Sequence, residues 1–108
     1  MRLENFTYGV YNGVCVIRTV VFVKGLDKEL VRLPKHVVDK LLGWVEAVET
    51  EGLQNVRRRA GYHDEPLRGR RSGQRSIRLT RSWRAVFVVI GDRHVEFVRI
   101  EEVHHHEY

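Results

Sequence analysis

The stretch RSIRLTRSWRAVFVVIGDRHVEFVRIE, residues 75–101, decides the fold. Apolar and polar side chains alternate in residues 75–80, residues 84–90 read RAVFVVI, and residues 94–101 alternate again after a Gly91-Asp92 turn. Alternation with a period of two, in segments rich in β-branched and aromatic residues, is typical of β-strands. Short connections between consecutive strands favour antiparallel pairing. The stretch therefore predicts an antiparallel β-meander.

Helical spacing dominates the preceding segment. Leucines recur at helical spacing in residues 26–33, and Pro34 is expected to begin a second helix, because the first turn of a helix tolerates the missing N–H of proline. Apolar residues recur every three or four positions over residues 37–48, which predicts an amphipathic helix running to about Glu51 and ended by Gly52. Residues 53–59 fit one more helical turn. The expected fold class is α+β, with two N-terminal helices packed on one face of an antiparallel sheet.

The first part of the chain carries a hairpin signal. Residues 7–11 and 14–23 are strand-like, and Asn12-Gly13 between them is the dipeptide that a two-residue type I′ turn prefers. We expect residues 1–14 to form either an extra hairpin strand or a flexible extension. With 108 residues, the chain is expected to be a single domain over residues 1–108.

Composition places the chain among ordinary globular proteins. It is 43% hydrophobic and 31% charged, and its longest apolar run, residues 14–23, is interrupted by Arg18 and Thr19. That run is too short to span a bilayer, and the first residues do not have the pattern of a signal peptide, so a cytoplasmic protein without a membrane partner is expected. Cys15 is the single cysteine, which excludes an internal disulfide, and we expect it to be a buried structural thiol.

Positive charge is concentrated in one segment. Residues 57–84 hold ten arginines against Asp64 and Glu65, a net charge of +8, whereas the other residues together carry −3. Arginine outnumbers lysine fifteen to four over the whole chain. Because a planar guanidinium binds phosphate oxygens in a bidentate way, this segment favours recognition of nucleic acid over simple solubility.

The same segment carries a family resemblance. EPLRGRRSGQRSIRLTRSWRAVF, residues 65–87, resembles the central block of RelE-superfamily toxins, above all of the YoeB-like and HigB-like branches. The shared pattern is Pro-Leu and a basic residue, a glycine, a short basic turn, a strand with Ser-x-Arg, and an arginine before an apolar strand. The resemblance extends over roughly residues 15–108. It implies the RelE-like, microbial ribonuclease-type fold.

For function, the resemblance implies a ribosome-dependent mRNA endoribonuclease. Such a toxin cuts by attack of a 2′-hydroxyl on the neighbouring phosphorus, with general acid–base catalysis and without a metal or cofactor. Its partners would be mRNA, the ribosome and a cognate antitoxin protein. Two alternatives stay open at this point: a ParE-like toxin that inhibits gyrase, and a non-catalytic nucleic-acid-binding module.

The resemblance also implies roles for single residues. Glu65 matches the general base of YoeB-like toxins. HigB-like toxins tend to have histidine where this chain has Glu65, so His63, two residues earlier, is the alternative base. Arg84 matches the arginine that contacts the scissile phosphate. Arg68 replaces the family's lysine and keeps its charge.

Other expected contacts lie on the arginines and at the C-terminus. We expect RNA-binding by Arg70, Arg71, Arg75 and Arg78. His106 is predicted to be the general acid, with His104 and His105 as alternatives, since histidine titrates near neutral pH. Tyr108 is predicted to stack on a base. No metal site is expected in the histidine run, because neighbouring side chains on a strand point to opposite faces.

Overall fold

A computed structural model of the chain describes residues 9–11, 14–92 and 95–105, and it describes side chains for residues 16–91 and 96–105. The predicted turn at Asn12-Gly13 and the predicted site residues His106 and Tyr108 lie outside these ranges. The side chain of Cys15 does as well.

A five-stranded sheet forms one layer of the α+β fold. Its strands are β3 Val20–Phe22, β4 Glu65–Pro66, β5 Gln74–Arg78, β6 Trp83–Asp92 and β7 Val95–His105. Their order in the sheet is β3-β7-β6-β5-β4. The pairs β4–β5, β5–β6 and β6–β7 are all antiparallel, so the predicted meander is confirmed.

The prediction of a wholly antiparallel sheet is wrong at one edge. β3 pairs with β7 in parallel, with Val20 opposite Val98 and Phe22 opposite Ile100. A parallel pair needs a long crossover connection. Here the helices, β4, β5 and β6 all lie between the two strands in the chain, so the partner of β3 is remote in sequence. The sheet is therefore mixed.

The helical layer has one long helix between two short ones. α1 covers Leu26–Leu30, shorter than the expected 26–33, α2 covers Lys35–Glu51 as predicted, and α3 covers Leu53–Arg57. Gly52 separates α2 from α3 with a φ of 91°, a left-handed value that glycine adopts without strain. No helix of the described residues is long and apolar enough to cross a membrane.

The core lies between the helices and one face of the sheet. On α2, the buried residues Val37, Leu41, Trp44 and Val48 recur at helical spacing. The ring of Trp44 lies 5.1 Å from that of Phe87 on β6, at an angle of 43°. The helices therefore cover one face of the sheet and leave the other face uncovered.

The N-terminal strands form a separate pair. β1 Gly9–Tyr11 pairs antiparallel with β2 Val14–Val16, as the hairpin signal predicts. The expected continuous strand over 14–23 is interrupted at residues 17–19, because Ile17 is buried in the core and its carbonyl accepts a 2.8 Å hydrogen bond from Leu53 N–H. The chain then re-enters extended structure as β3.

A β-bulge shapes the last strand. Val86 pairs with Glu102 and Phe87 with Ile100, so Glu101 is the extra residue in β7. β7 runs to His105 and not only to residue 101, and Gly91 and Asp92, which were expected to form a turn, are the last residues of β6. Because the bulge inserts one residue, it reverses the alternation of β7 beyond Ile100.

Candidate functional site

A groove opens on the sheet face that the helices leave uncovered. Its volume is about 340 Å³, and it is lined by Glu65, Leu67, Arg71, Ser76, Arg84, Val86 and His104. The floor of the groove is formed by buried residues: Val86 is fully buried and Ser76 is only 3% exposed. The charged side chains stand on β4, β6, β7 and the turn before β5.

Strand register brings these side chains together. Glu65 lies opposite Ser76, Ser76 opposite Val86, and Val86 opposite Glu102, which makes one row across four strands. Arg84 lies opposite His104 in the next row. Residues directly paired across strands point to the same face of a sheet, so both rows face the groove.

Arg84 links the two sides of the groove. Its Nη1 donates a hydrogen bond of 3.2 Å to Oγ of Ser76 and lies 3.8 Å from Oε1 of Glu65. The Arg84 side chain is 22% exposed and that of Glu65 61%. The guanidinium is thus held in place by the sheet while the carboxylate reaches into solvent beside it.

Glu102 organises the opposite wall. One of its oxygens, Oε1, lies 2.7 Å from Nη2 of Arg71 and 3.3 Å from Nδ1 of His104. Arg71 also donates from Nε to the side-chain oxygen of Gln74 at 2.7 Å. The carboxylate therefore fixes both a cation and an imidazole at the edge of the groove.

The bulge at Glu101 turns the side chains of Glu102 and His104 toward the groove. Val98 and Ile100 point into the core, and without the extra residue Glu102 and His104 would follow them onto the same face. Bulges re-aim side chains in this way and are common next to active sites.

A buried ion cluster lies directly behind Glu65. The side chain of Asp64 is only 1% exposed, and its Oδ1 accepts a 2.5 Å hydrogen bond from Nε of Arg75. Nε of Arg57 lies 3.6 Å from the other oxygen. Burial lowers the pKa of the Arg57 guanidinium, Arg75 lowers it further, and Asp64 opposes both effects. The cluster ties the residue before Glu65 to β5 and α3.

The structure separates the predicted site residues into groups. Glu65, Arg71 and Arg84 line the groove. Arg68 and Arg70 are exposed at the turn Gly69–Arg71.

Three other predicted residues lie elsewhere. Arg75 has the strand parity of buried Ile77, on the helix-covered side, and is engaged by Asp64. Nη1 of Arg78 lies 3.4 Å from Nε2 of His63, beside a different pocket. His63 therefore does not line the groove.

Of the C-terminal histidines, His104 lines the groove and His105 does not. The ring of His105 packs edge-on against Trp83 at 5.2 Å. Sequence reasoning named His104 only as an alternative and missed Glu102 completely. The alternation of Glu102, Val103 and His104 was a signal for a shared face, but the face itself depends on the bulge.

Among the described side chains, no group of three or more His, Cys, Asp or Glu is placed to hold a metal ion. The groups available in the groove are the carboxylate of Glu65, two guanidinium groups with fixed partners and the imidazole of His104, with the carboxylate of Glu102 between Arg71 and His104. This set suits proton transfer beside a bound phosphate.

The fold defines a small α+β protein with an arginine-lined groove on the open face of its sheet. No family model and no curated protein matches the sequence. Solved structures do match. The toxin–antitoxin complex RelBE2 from Mycobacterium tuberculosis aligns with a TM-score of 0.59 and 25% identity over 83% of this chain and 99% of that one.

Two further structures agree with this match. YafQ from E. coli strain BL21(DE3) aligns with a TM-score of 0.62 and 19% identity, over 82% of this chain and 92% of that one. A YoeB/ParE toxin from Agrobacterium tumefaciens aligns with a TM-score of 0.58 and 20% identity, over 82% and 99%. The resemblance seen in the sequence is thus confirmed, and the chain has the fold of the RelE-superfamily type II toxins.

Proposed function

We propose that this protein is the toxin of a toxin–antitoxin pair and a metal-independent endoribonuclease that cuts mRNA on the ribosome in the cytoplasm. The observation that carries the proposal is the approach of Glu65 to Arg84, at 3.8 Å, in a groove on the open face of a RelE-type sheet. A base and a phosphate-binding cation must lie close together for this chemistry, and the short distance between these two side chains supports the proposal.

In the proposed reaction, Glu65 accepts the proton of a ribose 2′-hydroxyl. The freed oxygen attacks the adjacent phosphorus, which forms a 2′,3′-cyclic phosphate and breaks the bond to the 5′-oxygen of the next nucleotide. Arg84 stabilises the negative charge that develops on the phosphate oxygens, and its hydrogen bond to Ser76 keeps it oriented.

A histidine at the end of β7 donates the proton to the departing 5′-oxygen. His104 lines the groove, with Nδ1 beside Glu102, which leaves Nε2 for the leaving group. His106 is the sequence-based prediction for the same role. The variants His104→Gln and His106→Gln separate the two, since only loss of the acid slows cleavage strongly.

The remaining predicted contacts position the RNA. The exposed side chains of Arg68 and Arg70 suit phosphates that flank the cut, and Tyr108 is proposed to stack on a base. Two of the similar solved structures, RelBE2 and DinJ-YafQ, are toxin–antitoxin complexes. They support the proposal that a cognate antitoxin neutralises this protein.

The test is to add the purified protein to translating ribosomes and map the cut ends. We expect cleavage within the translated message, with 2′,3′-cyclic phosphate ends, that persists in the presence of a chelator. Parallel assays use free mRNA and DNA gyrase. Intact mRNA together with inhibited supercoiling would replace the proposal by the ParE-like alternative. Salt-dependent RNA binding with no cleavage would leave a non-catalytic binding module.

A further inference from the structure

A second pocket lies beside Arg78, apart from the groove. It has a volume of about 280 Å³ and is lined by Lys40, Arg59, Gly61, Tyr62, Arg78 and Leu79. None of these residues lines the groove around Glu65. We call it the tyrosine pocket.

The tyrosine pocket combines an apolar interior with a cationic rim. Leu79 is 3% exposed, and the half-buried ring of Tyr62 packs against the core. Lys40 projects from α2 and Arg78 from the end of β5. An aromatic face beside cations is the combination that single-stranded RNA requires, because bases stack on the ring and phosphates bind the cations.

Two of the three cations that line the pocket, Lys40 and Arg78, are not neutralised by carboxylates of the described residues. Lys40 forms no ion pair within that part of the chain, whereas Arg59 is paired with Glu51. Arg78 contacts Nε2 of His63 at 3.4 Å. Because histidine carries no negative charge, this contact does not neutralise the Arg78 guanidinium.

Register places the tyrosine pocket next to the groove. Arg78 on β5 lies directly opposite Arg84 on β6. Paired Cα atoms in an antiparallel ladder are about 4.5 to 5.5 Å apart. A strand of RNA bound at Arg84 therefore passes close to Arg78, which also lines the tyrosine pocket.

We infer that the tyrosine pocket is a nucleotide subsite adjoining the cleaved linkage, in which Tyr62 stacks on a base while Arg78 and Lys40 bind the phosphate. RNA as the ligand rests on the proposed function. The subsite binds one nucleotide next to the cut. The affinity for RNA therefore depends on the length of the RNA on that side of the cut.

The test measures binding without cleavage. Fluorescently labelled oligonucleotides with 2′-O-methyl groups at every position are bound at fixed salt, as a three-nucleotide core and as the same core lengthened by two nucleotides on its 5′ or its 3′ side. Wild-type protein should gain about five-fold or more in affinity from one of the two extensions, the size expected for one stacked base.

Variants assign that gain to the pocket. Tyr62→Leu should abolish it and Tyr62→Phe should keep it, because phenylalanine preserves the ring. Lys40→Gln should reduce it, whereas Lys35→Gln removes the same charge from the same helix at an exposed pair with Asp39 and should not. Thermal unfolding of each variant establishes that it is folded.

The inference is overturned when neither extension adds affinity to the wild type, or when Tyr62→Leu and Lys40→Gln both keep the full gain. Its failure is distinguishable from that of the proposed function. If the gain in affinity depends on Tyr62 but the protein cuts no RNA, the subsite stands and the nuclease proposal is wrong. If cleavage depends on Glu65 but no extension raises the affinity, the nuclease proposal stands and the subsite is wrong.

Discussion

Replacing Asp64 by alanine should destabilise the protein far more than a surface aspartate does. The Asp64 carboxylate is 1% exposed and accepts a 2.5 Å hydrogen bond from Arg75, with Arg57 at 3.6 Å. The substitution removes the one acid from this cluster and leaves two guanidinium groups facing each other in a partly buried site.

The magnitude follows from the burial of the partners. Breaking a buried ion pair by removing one member costs about 3 to 5 kcal/mol. The side chains of Arg75 and Arg57 are 27% and 34% exposed, so water recovers part of that loss. We expect about 3 kcal/mol, the lower end of the range. For a domain of this size that lowers the Tm by roughly 12 to 20 °C.

Calorimetry and urea unfolding of Asp64→Ala and Asp39→Ala make the comparison. Asp39 forms an exposed pair with Lys35 one helical turn away, and such pairs contribute about 0.3 to 0.5 kcal/mol. Because Asp64 directly precedes Glu65, the folded fraction of Asp64→Ala should also cleave RNA more slowly. Equal losses of stability in the two variants would refute the assignment of Asp64 as the anchor of this loop.

Three further predictions concern the groove and the helix junction. Glu102→Gln should slow RNA cleavage by roughly ten- to a hundred-fold, because Arg71 and His104 lose the carboxylate that positions them. The control Glu101→Gln, on the bulge, should change the rate little. Single-turnover cleavage rates make the comparison. Arg84→Lys keeps the charge but loses the planar fork, so the cleavage rate should fall by about a hundred-fold or more with the Tm unchanged, and a wild-type rate would contradict this. Gly52→Ala should lower stability in urea unfolding by more than about 1 kcal/mol, because its φ is 91° and its new Cβ would collide with a valine side chain. The control for this variant is Gly43→Ala: its new Cβ on the exposed face of α2 meets no atom within 4 Å, so it should stabilise by about 0.5 to 1 kcal/mol.

Local pattern was sufficient for the long helix and the meander. The buried stripe of α2 from Val37 to Val48 and its end at Gly52 follow from spacing and from backbone preference, which act within a few residues. Strand β5 likewise follows from alternation, and β6 follows from its run of β-branched and aromatic residues. These features depend on neighbours in the chain, so the sequence displays them directly.

The parallel edge strand was not predictable in the same way. Val20–Phe22 has the composition of a strand, but composition does not specify which strand it joins or in which direction. That choice depends on how the helices return the chain across the sheet, which only the assembled core determines.

The bulge explains the largest gap in the predicted site. Extending the alternation of residues 94–101 would place Glu102 and His104 with Val98 and Ile100, in the core. One extra residue at Glu101 turns them to the groove instead. No motif in the sequence marks that residue, so the carboxylate that holds Arg71 and His104 escaped the sequence analysis.

The face of β5 on which Arg75 lies, by contrast, was visible in the sequence. Arg75 alternates with Ser76 and has the parity of Ile77, so its position on the helix-covered side follows from the period of the strand. What the sequence did not display was its partner Asp64, because two adjacent acids, Asp64 and Glu65, offer no local sign of which one is buried.

The central claim is that Glu65 and Arg84 act together on one RNA linkage, and a double-mutant cycle measures this most directly. Single-turnover cleavage rates are compared for wild type, Glu65→Gln, Arg84→Gln and the double variant. Each single change should lower the rate by about a hundred-fold or more. The double variant should be only slightly slower than either single one, because groups that work as a unit are not additive. Near wild-type cleavage by Glu65→Gln, or losses that simply multiply in the double variant, would contradict it.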